Sequence, residues 1–326
     1  MPVRLTTSRR PPRLPPPPRL ARAFALIEKS NLKGKHSWRI RSVATSVDGT
    51  IASASSDGTI CLWDEKTGIG HTRLSGHVGA VESVLFVENR GVMISGGADR
   101  TLRVWNIKDS IGGACEPIVV VYAHQGDVCA LASNRAARVV SGSADKCLKL
   151  WSLDDAGGLA EERKLIGHSD AVTGVAYDPD GEVVVSSSYD ATVRLWSATQ
   201  GTELRNLVHP LPVTALAISP DGKVIASGAN DGTLRIWSGL DGRQLMELEQ
   251  AHTDKVASLC FVDATCVASG GRDDHVRLHA VVTGKQLAAS KSHVDCVVSL
   301  AMAFDGSFLA SGSHDQTVRT WRLHPS

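Results

Sequence analysis

Seven times along the chain a serine is followed four residues later by an aspartate and, after six more, by a tryptophan or, once, by a histidine. Each time another histidine stands 21 or 22 residues ahead of that aspartate. The sets are His36, Ser53, Asp57, Trp63; His77, Ser95, Asp99, Trp105; His124, Ser141, Asp145, Trp151; and His168, Ser186, Asp190, Trp196. They continue with His209, Ser227, Asp231, Trp237, then His252, Ser269, Asp273 with His279 in the tryptophan place, and His293, Ser311, Asp315, Trp321. Successive leading histidines lie 41, 47, 44, 41, 43 and 41 residues apart. A fixed period of roughly 40–45 residues marks a radial or stacked array, whose units bury their apolar faces only against one another.

The fourth copy shows what one unit is. Val172–Tyr177 alternates as a half-buried strand does, and Asp178-Pro179-Asp180-Gly181 is turn chemistry. Val183–Ser187 and Thr192–Trp196 read as further strands, and a polar break at 198–201 precedes a fourth, Glu203–Val208. Four short antiparallel strands per unit predict an all-β protein of stacked sheets. The repeated side chains have a structural task in such a sheet. Indole only donates, hydroxyl and neutral imidazole do both, and carboxylate only accepts. A chain from Trp through Ser and His to Asp therefore satisfies every buried member.

On these residues the chain resembles the WD40 repeat family over about residues 24–326. The resemblance implies a seven-bladed β-propeller around a central channel, of four-stranded blades. The repeats fall at about 36–76, 77–123, 124–167, 168–208, 209–251, 252–292 and 293–326, the last completed by 24–33. Only Trp63-Asp64 is a literal Trp-Asp pair, a glycine precedes the leading histidine only at residues 76–77 and 167–168, and His209 is followed by Pro210. His279 puts the sixth network in question, although an imidazole N–H can donate where the indole would.

The last repeat ends five residues after Trp321, so its fourth strand is missing at that end and the sheet edge would lie open. Leu26–Leu32 precedes His36 much as Leu245–Leu248 precedes His252. The N-terminal segment is therefore expected to form the outer strand of the final blade and latch the ring.

Charge divides the chain. Residues 1–22 hold six arginines, seven prolines and no acid, leaving 29 basic against 34 acidic residues, net −5, in the rest. A mildly acidic body argues against nucleic acid as a direct ligand. The tail, 1–22, is expected to be disordered; Arg9-x-x-Pro12-x-x-Pro15 also fits an SH3-type ligand, and the arginines fit a mitochondrial address that the prolines oppose. Seven cysteines without Cys-x-x-Cys make neither a disulfide framework nor a zinc site, and they suit a reducing, cytoplasmic or nuclear setting. No apolar run approaches the ~20 residues that cross a bilayer.

Ser, His and Asp together suggest a nucleophilic triad, but seven copies at fixed spacing are what an architecture needs, not an enzyme. No nucleophile elbow, phosphate-binding loop or zinc-helix motif is present. The expectation is a non-catalytic scaffold without cofactor or metal, binding partner proteins or peptides on a rim, within a multiprotein complex. The resemblance places partner binding on the loops at the narrower channel mouth. One set follows the leading histidines: Trp38, Arg39, Gly79, Asp127, Asp170, Leu211, Asp254, Lys255 and Asp295. The other precedes the repeat aspartates: Ser56, Ala98, Ala144, Tyr189, Asn230, Arg272 and His314. Trp38, the only tryptophan outside the repeat position, is the sharpest candidate, with packing against the latch as the competing reading. Asp127, Asp170, Asp254 and Asp295 suggest a broken acidic ring suited to a basic peptide. Longer connections at Asp109–Pro117 and Asp154–Glu162 project from the opposite mouth. Two other functions compete. Ile51–Lys66, ending Trp63-Asp64-Glu65-Lys66, resembles the box by which some WD40 substrate receptors join cullin-RING ubiquitin ligases, through Asp64 and Lys66. The basic tail offers an electrostatic arm for nucleic acid.

Overall fold

The computed structural model describes residues 24–107 and 116–325. The tail, with each reading of it, and residues 109–115 of the first long connection lie outside the described residues. Among the described residues 28 strands, β1–β28 in chain order, form seven separate four-stranded antiparallel sheets. The innermost strands are β2 (Ile40–Thr45), β6 (Val81–Val87), β10 (Val128–Ser133), β14 (Val172–Tyr177), β18 (Val213–Ile218), β22 (Val256–Asp263) and β26 (Val297–Met302). Each contacts the next, and β26 contacts β2, so the blades close a ring around a channel. The seven-bladed propeller is as expected, and the fourth blade matches the sequence reading to within a residue: β14, β15 (Val183–Ser188), β16 (Thr192–Ser197) and β17 (Glu203–Val208).

The core is seven clusters, one per blade interface, each drawing residues from two neighbouring blades. Six contain the strand-three tryptophan of the later blade in the pair, as Trp105 does beside Ile60, Leu62 and Leu74 of blade one. The cluster between blades five and six has no tryptophan. Hydroxyl groups join the inner strands across the interfaces: Thr173 Oγ1 donates to the Val213 carbonyl at 2.8 Å, and the amide of Leu300 donates to Ser258 Oγ at 2.8 Å. These contacts give neighbouring blades a polar register that apolar packing alone does not specify.

Ring closure follows the sequence expectation. β1 (Phe24–Leu32) pairs antiparallel with β28 (Val318–Pro325), completing the sheet of β26 and β27 (Leu309–Ser313). A bulge between Glu28 and Ser30 gives this strand a second task. Strand residues alternate faces, so Leu26 and Leu32 would share one; the extra residue turns them to opposite sides. Leu26 packs in the interface between blades six and seven, and Leu32 in that between blades seven and one. The second long connection is shorter than the sequence suggests, because Leu159–Glu162 already belongs to β13 (Leu159–Ile166).

Candidate functional site

In five blades the repeat side chains form one continuous hydrogen-bonded chain. In blade four Trp196 Nε1 donates to Ser186 Oγ at 2.8 Å, Ser186 Oγ meets His168 Nε2 at 2.7 Å, and His168 Nδ1 meets Asp190 at 2.8 Å. Blades one, two, three and seven repeat this, with His–Asp contacts of 3.2, 2.9, 3.0 and 2.9 Å. Burial lowers the imidazole pKa of His36, His77, His124 and His168 despite the neighbouring aspartates. A neutral ring with its proton on Nδ1 then donates to Asp and accepts from Ser. Burial opposes ionisation of Asp99, yet hydrogen bonds from Thr101 and His77 bring it down to about 2.

The aspartates do more than complete the chain. Each accepts the amide of the residue two positions on, closing a turn whose central residue has positive φ: Gly58, Arg100, Lys146, Ala191, Gly232, Asp274 and Gln316. In six blades the aspartate also accepts the amide of the residue after the histidine, such as Ser169 at 2.9 Å. In blade five that residue is Pro210, which has no N–H. There Asp231 keeps the turn but makes no bond to His209, a departure from the repeat reading. Arg235 Nη1 stands 3.3 Å from His209 Nδ1 instead, while Arg235 Nη2 donates to Glu247 at 2.6 Å. Arginine only donates, so His209 accepts at Nδ1 and carries its proton on Nε2, toward Ser227 at 3.1 Å. Burial and Arg235 push its pKa down to about 4.

Blade six departs at the other end. His252 reaches Ser269 and Asp273, each at 2.8 Å, but the buried His279 makes no hydrogen bond to Ser269. The expected imidazole donor does not replace the indole, because the shorter side chain does not reach Ser269. His279→Trp is expected to restore that bond and fill the tryptophan-free interface. Gln286 lies opposite His279 as Gln244 lies opposite Trp237 in blade five, so the register accommodates an indole. The expected gain is about 1–3 kcal/mol, read by urea denaturation; an unchanged or lower midpoint would count against this account of the blade.

The same framework builds the channel mouth. In every blade the amide of the residue before the repeat aspartate donates to the carbonyl of a residue in the loop after the leading histidine. Tyr189 reaches Ala171, Asn230 reaches Pro212, Arg272 reaches Lys255 and His314 reaches Cys296, at 3.0, 3.1, 2.9 and 3.0 Å. Ser56, Ala98 and Ala144 do the same in blades one to three. The two loop sets therefore form one rim. Arg39, Lys255, Arg272, Asp295 and His314, together with Arg41, line a cavity of about 380 Å³ where blades six, seven and one meet. Trp38, beside Arg39, is 61 % exposed, and Tyr189 is 43 % exposed. Lys255 Nζ lies 5.6 Å from the centre of the Tyr189 ring and 3.5 Å from its hydroxyl.

The four rim aspartates separate. Asp254 faces Arg272 at 3.9 Å and Asp295 lines the cationic cavity, whereas Asp127 lies on the arc that carries Glu82. Asp170, Asp254 and Asp295 each accept the amide of the next residue. Arg41 is the residue that loop-based reasoning missed; it lies on β2 and pairs with Glu82 at 3.1 Å. Its signal was a charged residue at the second position of an inner strand, where blade two has Glu82 and the other five blades have Cys129, Thr173, Thr214, Ala257 and Val298. Elsewhere, Asp64 closes a turn by accepting the Thr67 amide at 2.7 Å, Glu65 pairs with Lys29 of the latch, and Lys66 is exposed. Among the described residues no group of three His, Cys, Asp or Glu is arranged to hold a metal, and no helix is long and apolar enough to cross a membrane.

Comparison with known proteins accords with this geometry. The chain is 32 % identical over 183 residues to nuclear distribution protein PAC1-2 of Uncinocarpus reesii, covering 50 % of this chain and 40 % of that protein. It is 29 % identical over 174 residues to anaphase-promoting complex subunit cdc20 of Dictyostelium discoideum, covering 51 % and 34 %. It is 26 % identical over 160 residues to B-type cell cycle switch protein ccs52B of Medicago truncatula, covering 46 % and 30 %. The chain thus spans less than half the length of each of these relatives. The family model described as WD domain, G-beta repeat matches residues 28–64, 70–106, 115–152, 160–197, 201–238 and 284–322, passing over the segment that carries His279. With most of its length matched and seven blades in a closed ring, the chain belongs to the WD40 repeat family.

Proposed function

We propose that the protein is a non-catalytic interaction scaffold that seats a partner protein or peptide over the channel mouth, with Trp38, Tyr189 and Arg272 as anchors. The observation that carries this reading is the convergence of Arg39, Lys255, Arg272, Asp295 and His314 on one cavity, beside two exposed aromatic side chains. Aromatic and arginine side chains around a pocket are what binding hot spots are made of. WD40 propellers generally act as interaction scaffolds, and a relative named as a subunit of the anaphase-promoting complex supports a place in a multiprotein assembly. By the same reasoning we assign it to the cytoplasm or nucleus. A ligase-adaptor role through Asp64 and Lys66 has less support, since Asp64 is committed to a turn and Glu65 to the latch.

Affinity purification from native cells tests this, comparing the wild type with a Trp38→Ala, Tyr189→Ala, Arg272→Glu variant of unchanged melting temperature. Recovery of a discrete partner set should fall at least about tenfold, the equivalent of a single strong hot spot. Undiminished recovery would remove the mouth as the binding site.

A further inference from the structure

We propose, building on that reading, that the cavity between blades six, seven and one receives a phosphorylated side chain of the partner. Arg39, Arg41, Lys255 and Arg272 line it against a single lining carboxylate, Asp295. Two further acids flank it, Glu82 on Arg41 at 3.1 Å and Asp254 on Arg272 at 3.9 Å. The second pair joins side chains 68 % and 50 % exposed, and such a pair is worth about 0–1 kcal/mol. An incoming dianion can therefore displace it. Arg41 and His314 line the cavity, and Arg41 Nε and His314 Nε2 lie buried behind its surface without a hydrogen-bond partner. His314 also senses the cationic field: burial, then Arg39, Arg41 and Arg272, hold its imidazole pKa below the usual value, with Asp295 alone opposing them.

Three guanidinium groups in one cavity match the charge of a phosphate monoester, about −1.5 to −2, and its three acceptor oxygens better than one carboxylate. Planar guanidinium forks bind such oxygens in pairs. The volume of about 380 Å³ accommodates the phosphate with its side-chain stem. Trp38 and Val294, neighbours in sequence of Arg39 and Asp295, are 61 % and 80 % exposed and offer apolar contact to the flanking peptide. Beyond Arg41, Glu82 and Asp127 on blades two and three add negative charge beside the cavity, which favours a discrete phosphate over an extended polyanion.

Fluorescence polarisation tests this with labelled degenerate peptide pools centred on phosphoserine or phosphothreonine, their unphosphorylated counterparts, and a single-stranded oligonucleotide. The proteins are the wild type, Arg39→Glu/Arg272→Glu, and Lys223→Glu as a charge control on an exposed turn at the opposite mouth. The expected result is at least about tenfold preference for phosphopeptide, lost in the double variant and retained in the control. Equal binding of both pools, no binding, or preference surviving the double variant overturns the proposal. Stronger binding of the oligonucleotide, lost through the same substitutions, would assign the cavity to nucleic acid and overturn it as well. If the purified partner set still binds after phosphatase treatment, the scaffold reading stands and the phosphate receptor falls.

Discussion

A chain lacking residues 24–32 should melt at least about 5 °C below the full chain and associate through its newly open sheet edge. The strand pairs with β28 at eight positions, from Phe24 opposite Pro325 to Leu32 opposite Val318. Each backbone hydrogen bond contributes roughly 0.5–1.5 kcal/mol net. Leu26 and Leu32 seal two different blade interfaces, and Glu28 holds Arg319 at 2.5 Å while Lys29 holds Glu65. Ordering the strand offsets part of this gain. A remaining loss of about 4 kcal/mol corresponds to roughly 6 °C for a chain of this size. Exposed β28 then offers unpaired amides and carbonyls to another copy. Calorimetry and light scattering of the truncated chain read both effects; a full-length melting curve without association would refute the latch.

Ser186→Ala should destabilise by about 2–6 kcal/mol, because one hydroxyl serves two buried partners and each orphaned group costs about 1–3 kcal/mol. Trp196 Nε1 and His168 Nε2 both depend on Ser186 Oγ, and the serine is fully buried, so water does not replace it. Ser269→Ala in blade six is the internal comparison. There only His252 Nε2 relies on the serine, since His279 makes no bond to it, and the expected loss is half as large. Denaturant melts of the two variants measure the difference directly. Equal losses would mean that the cost is packing rather than unpaired polar groups.

Repeat spacing made the architecture legible because each blade restates it. Val172–Tyr177 and its three partner strands could be bounded from alternation and turn residues alone, and the missing last strand pointed to Leu26–Leu32. Local exceptions were readable only in part. Pro210 was visible in the sequence, but its consequence depends on a backbone amide that six other blades use and on Arg235 arriving from strand three. His279 was visible too, yet whether an imidazole reaches Ser269 is a question of side-chain length in three dimensions. The bulge at Glu28–Ser30 left no sequence mark, although it decides which interface Leu32 enters.

The mouth was legible as a set of loops and illegible as a surface. Arg39, Arg272 and His314 are far apart in the chain, and ring closure alone brings them to one cavity with Arg41. Their clustering turns the expected acidic ring into two arcs, with cations over blades six, seven and one and carboxylates at Glu82 and Asp127. Counting aspartates along the sequence does not show which of them an arginine already faces.

Site-directed photo-cross-linking in native cells tests the central claim, that partners seat over this mouth, most directly. A photoreactive side chain would replace Tyr189 in one protein and Phe304, which is 79 % exposed at the opposite mouth, in another. The account predicts that a discrete partner is captured from position 189 and not from 304. Capture of that partner from position 304 alone would place binding on the other face and contradict it.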